Sequence, residues 1–227
     1  MAPLHSVSFA LDEIHQRRSK TMTSIAVEAI EGMIVSGHLE AGNRINESLL
    51  ASQLGISRGP IREACRSLER VGLLISKTNQ GMYVREMSEN EARDLYELRG
   101  AIAGLIGKLI VERGSQDDEK RLQQLVDLMQ KAADTQNAKD YYRLNLEFHD
   151  TLVKVARNPA LAEAYNRIVS QLHLLRKRGL VQEGSLHVSN REHYQIVQAM
   201  VARDAQAASL AMEQHVGNSL ARMLANI

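Results

Sequence analysis

Three histidines, His149, His193 and His215, recur among apolar residues at helical spacing. His149 falls with Tyr141, Leu144, Phe148 and Leu152, His193 with Ile196, Val197, Met200 and Val201, and His215 with Ala208, Met212, Val216 and Leu220. A helical period puts each imidazole on the apolar face of its own helix. Burying an imidazole without a partner is costly. A single such histidine is ordinarily a satisfied core residue, but three on three helices of one bundle suit a shared divalent transition metal, zinc, nickel or similar. Asn145 lies one turn before His149 and shares its face, so its amide oxygen is a fourth candidate ligand. The remaining histidines lie in the first residues (His5, His15), after a helix end (His38), beside a core stripe (His173) and in an expected loop (His187).

A second group suits nucleic acid. In Ser57-Arg58-Gly59-Pro60-Ile61-Arg62, a helical turn of about 100° per residue puts Arg58 and Arg62 on one face, opposite Ile61 and Cys65. An arginine grips guanine O6 and N7 with two hydrogen bonds, and Gly59 lets a backbone approach phosphate. Gln80 and Gly81, at the tip of an expected hairpin, are placed to reach a neighbouring groove. From Arg58 to Lys77 there are five basic residues against two acidic ones, although the whole chain carries a net charge of only +1.

The elements that must position these residues follow from pattern. Residues 1–20 have no sustained period and are expected to form a mobile arm. A helix is expected over 22–36, with Ile25, Ala26, Ala29, Ile30, Met33 and Ile34 inward and Gly37 as its stop. A short helix over 47–54 points Leu49, Leu50 and Leu54 inward and breaks at Gly55. Ser57 caps the next helix, where Pro60 is tolerable in the first turn, and Ile61, Ala64, Cys65 and Leu68 form its inner stripe as far as Gly72. Leu73-Leu74-Ile75 and Met82-Tyr83-Val84 flank the polar turn of a small hairpin. From residue 88 onward the pattern is helical. Ser88 with Glu91 opens a helix through a capping box, further helices cover about 115–134, 137–157 and 159–178, a second box at Ser189 and Glu192 opens a helix to about 203, and the last covers 205–225. The expected fold is mainly α: an arm (1–20), a winged helix-turn-helix (21–86) and an all-helical bundle (87–227).

Leu54-Gly55-Ile56-Ser57-Arg58-Gly59-Pro60-Ile61-Arg62-Glu63-Ala64, followed by Leu68-Glu69 and Gly72-Leu73, resembles the GntR-family regulators, and the helical remainder resembles their FadR-like subgroup with its FCD domain. That resemblance implies a homodimer on palindromic, double-stranded operator DNA, acting as a repressor more often than as an activator. It implies DNA contacts from Ser57, Arg58, Gly59, Arg62 and Gly81, while an arginine of the family's preceding helix is replaced by Ser48. It also implies a metal held by an Asp and three His, here Asn145, His149, His193 and His215, beside a small organic acid bound at Arg99. Arg99 could instead form a surface salt bridge with Glu97 or a neighbouring helix. Cys65, where the family commonly has Leu, reads as core.

Other classes are less well served. A metal-dependent hydrolase on a helical bundle lacks a placed general acid or base, since Asn145 is neutral and there is no His-Glu-x-x-His. A non-DNA interaction module is the other alternative. One cysteine excludes an internal disulfide, no apolar run reaches a membrane span, and no secretion signal is evident, so the cytoplasm is the expected compartment, without membrane contact.

Overall fold

The computed structural model describes residues 21–176 and 185–225. The expected arm over 1–20, the end of the helix expected to reach 178 and the side chain of His173 lie outside the described residues. The chain divides into two compact units between Glu86 and Met87.

The first unit holds α1 (Met22–Val35), α2 (Glu47–Leu54), α3 (Arg58–Arg70) and a hairpin of β1 (Leu74–Lys77) and β2 (Gly81–Val84). Its core joins Ala26, Ile30 and Ile34 of α1 to Ile61, Ala64, Cys65 and Leu68 of α3, with Leu50 and Ala51 of α2 beneath. Two expected inward residues point out instead: Leu49 is 53% exposed and Ile25 lies at the rim. A helix as short as α2 buries only a narrow stripe, and Leu50 and Ala51 fill it. Gly55 (φ 66°) and Gly72 (φ 83°) take the left-handed conformation that stops α2 and turns the chain after α3. The antiparallel hairpin pairs Leu74 with Val84 and Lys77 with Gly81. Residues 42–45 bind its other edge, through Ile45 N–H to Met82 O at 2.8 Å and Val84 N–H to Asn43 O at 2.9 Å. A two-stranded ribbon is marginal alone, so this third segment anchors the wing.

The second unit is all helical: α4 (Glu89–Arg113), α5 (Gln116–Asp134), α6 (Ala138–Val155), α7 (Pro159–Arg176), α8 (Ser185–Val201) and α9 (Ala205–Leu224). Capping boxes open α4 (Ser88 with Glu91) and α5 (Ser115 with Asp118). The box expected at Ser189 and Glu192 is absent, because α8 begins at Ser185 and both residues lie buried within it. His187 accordingly sits on α8 rather than in a loop, beside Gln130. No described helix is long and apolar enough to cross a membrane.

Helices α4 and α9 approach closely at Gly107. A Cβ at Gly107 would fall 2.5 Å from the Ala208 carbonyl oxygen and 2.7 Å from Ser209 N, whereas one at Gly100 would meet only Val216 Cγ1 at 3.9 Å. Alanine is favoured over glycine in a helix by about 1 kcal/mol, and overpacking against backbone costs about 1–3 kcal/mol. Gly107→Ala is therefore expected to lower the melting temperature and Gly100→Ala to raise it, and a rise in both would refute the close-approach argument.

Candidate DNA-reading face and candidate metal centre

The buried stripe of α3 leaves its opposite face to solvent. Arg58 and Arg62 are 61% and 52% exposed, and Ser57, Gly59, Gln80 and Gly81 are exposed as well. Ser57 occupies the N-cap position without a side-chain cap hydrogen bond, contrary to expectation. A cap accepts from the second or third helical N–H, and the third residue is Pro60, which has none. The base of the wing adds a residue that pattern reading missed, Arg44. A Cβ at Gly81 would sit 3.6 Å from its guanidinium, and Arg44, Asn46, Glu47, Ser48, Arg58 and Gly81 line one cleft. Glu47 pairs with both Arg58 and Arg62. Cys65 lies in the core, its thiol pushed up to about 11 by burial and by Glu47, so it is an inert packing residue.

In the helical unit, α6, α8 and α9 bring His149, His193 and His215 together. All three are buried, and one candidate ligand nitrogen from each lies within 4.8 Å of the others. His149 Nε2 and His215 Nε2 are 3.2 Å apart. Zn–N bonds of roughly 2.0–2.1 Å put tetrahedral ligand atoms about 3.4 Å apart, so this donor set fits a divalent ion. Asn145 is buried one turn before His149 on α6.

Glu192, assigned from pattern to a helix cap, lies beneath this cluster instead. Its Oε2 is 2.8 Å from His215 Nδ1, Arg222 donates to both its oxygens at 2.7 and 2.9 Å, and Asn218 donates at 2.9 Å. Burial opposes its ionisation, yet the hydrogen bonds from His215 and Arg222 hold its pKa down to about 2. An ionised carboxylate only accepts, which assigns the proton to His215 Nδ1. Burial keeps His215 below the ordinary histidine value despite Glu192, and its Nε2 faces His149 Nε2 at 3.2 Å. The spacing of His215, Asn218 and Arg222 along one face of α9 was the available sequence signal.

Arg99 is buried on α4, which excludes the surface salt bridge. Its Nη2 donates to Tyr165 Oη at 3.3 Å, and its guanidinium lies 5.5 Å from the Tyr96 ring and 5.7 Å from that of Tyr165. Its Nε has no hydrogen-bond partner, and no carboxylate lies within salt-bridge reach among the described residues. Arg99 is near enough to His215 for its charge to help lower the His215 pKa.

The comparisons agree with this architecture. Residues 23–84 match the bacterial regulatory proteins of the gntR family and residues 94–218 match the FCD domain. The Nta operon transcriptional regulator of Aminobacter aminovorans is 32% identical over 163 residues, 70% of this chain and 77% of that protein. The HTH-type transcriptional repressor GlaR of Escherichia coli is 25% identical over 86% of this chain and 93% of its own. Among solved structures, McbR/YncC of Escherichia coli shares the fold with a TM-score of 0.80 at 20% identity, covering 91% of this chain and 98% of that one. These relatives are regulators and not enzymes, which sets the hydrolase alternative aside. With both of its units matched in this order, the chain belongs to the GntR family of bacterial transcription regulators and carries an FCD domain.

Proposed function

We propose that the protein is a cytoplasmic, ligand-responsive repressor that binds two-fold symmetric operator DNA as a homodimer and senses a small carboxylate in its helical domain beside a divalent transition metal. One observation carries the sensing: a buried guanidinium with no carboxylate partner among the described residues, near three buried imidazoles whose nitrogens converge. A buried cation calls for an anion, and Arg99 presents a planar fork suited to a carboxylate. His149, His193 and His215, with Asn145, would hold the metal, which would supply a Lewis-acidic second anchor for the same anion.

Ser57, Arg58, Gly59 and Arg62 read or clamp the major groove, and Gln80 and Gly81 reach from the wing. The uncapped Ser57 hydroxyl and the open backbone at Gly59 suit phosphate. In a dimer, two such helices meet half-sites about 34–36 Å apart or at a multiple of that spacing. The effector acts by binding one arrangement of the dimer better than the other, so that it releases the DNA.

Thermal shift of the zinc-supplemented protein against a panel of hydroxy- and dicarboxylates tests the sensing. At a hundred times its dissociation constant a ligand adds about 2.7 kcal/mol. A carboxylate that stabilises the wild type but not Arg99→Met, and weakens DNA binding, is the expected result. Equal stabilisation of both proteins, or none in the wild type, would overturn the reading.

A further inference from the structure

The two reading arginines share one carboxylate. Glu47 Oε2 accepts from Arg62 Nε at 3.3 Å and lies 3.9 Å from Arg58 Nη2. Glu47 opens α2, and its side chain is 24% exposed, less than either arginine. An acidic residue in a first turn suits the positive end of the helix dipole. That accounts for its place on α2, but not for its contact with two arginines of another helix.

We propose that Glu47 is the specificity-determining positioning residue of the DNA interface: it holds Arg58 and Arg62 aimed at base edges and opposes their capture by backbone phosphate. The inference rests on the reading of α3 as the DNA-reading helix. Two effects combine. A long, exposed arginine loses rotamer freedom when it binds, and one already held on a carboxylate loses less. Each guanidinium has five N–H donors, so Glu47 leaves most of them for a guanine edge. The second effect is charge. Non-specific binding comes from phosphate neutralisation, and a fixed anion between the arginines repels phosphate while a neutral base edge is little affected.

The test compares a duplex selected by the wild-type protein from a randomised pool with poly(dI–dC), using the full chain. Glu47→Gln is expected to lower the ratio of the two affinities by about tenfold, with poly(dI–dC) bound as tightly as before or more tightly. Glu47→Asp keeps the charge and is expected to bind poly(dI–dC) as weakly as the wild type. In an Arg62→Ala background, Glu47→Gln is expected to change the ratio much less, since one of the side chains it positions is gone. An unchanged ratio in Glu47→Gln overturns the proposal, as does an equal proportional drop in both backgrounds. Arg62→Ala discriminating as well as the wild type would instead remove the reading of α3, and the proposal with it. Melting temperatures of all variants separate these outcomes from a loss of fold.

Discussion

A protein carrying both Arg58→Ala and Arg62→Ala is expected to lose sequence-selective DNA binding almost entirely. Each well-placed arginine pair with guanine contributes roughly 1–3 kcal/mol of discrimination, so losing both corresponds to a loss of roughly thirty- to twenty-thousand-fold. The single variants are not expected to add, because neighbours that share a partner couple, and both arginines share Glu47. Stability should change little, since exposed substitutions of this kind stay within about 0.5 kcal/mol. The measurement is fluorescence anisotropy with a selected duplex across a salt series. If the arginines read bases, selectivity collapses while the salt slope barely changes. If they grip phosphate, the slope falls by about one for each arginine lost. Intact operator binding by the double variant would show that α3 does not read DNA.

The second large effect concerns the histidine cluster. Structural zinc sites contribute about 10–16 kcal/mol in total, so His193→Ala, which removes one of four candidate ligands, is expected to weaken zinc at least a hundredfold. Asn145→Asp is expected to act in the opposite direction. A unit charge about 4 Å from another interacts by about 4 kcal/mol at an effective dielectric of 20. Part of that offsets desolvation of the new carboxylate, leaving roughly a ten- to hundredfold gain in affinity. Competition with a chromophoric chelator measures both. Equal or weaker zinc retention by Asn145→Asp would remove Asn145 from the ligand set, and unchanged retention by His193→Ala would remove the metal centre itself.

The winged unit was largely legible in the sequence because its signals are local. Ile61, Ala64, Cys65 and Leu68 announce the buried face of α3, and that face alone leaves Arg58 and Arg62 in solvent. The Ser57 cap was misjudged: its residue type suits a cap, but Pro60 removes one of the two donors a cap would use, and no side-chain cap bond forms. Leu49 was not legible, because nothing in eight residues says which side of a short helix its neighbours will cover. In the helical unit a local pattern misled. Ser189 and Glu192 have capping-box spacing, yet α8 starts upstream and Glu192 is claimed by His215, Asn218 and Arg222 from α9.

By itself the chain's pattern of side chains determined which residues face inward and which outward on each helix, hence the winged helix, the bundle and three core-facing imidazoles. Only tertiary packing decided that the imidazoles meet, that Arg99 is buried on two tyrosines, and that Glu47 and Glu192 each gather partners from another helix. The reason is physical: periodicity sets the direction of a side chain about its own helix axis, whereas the distance between two side chains depends on how the helices cross, which is settled by the whole core at once.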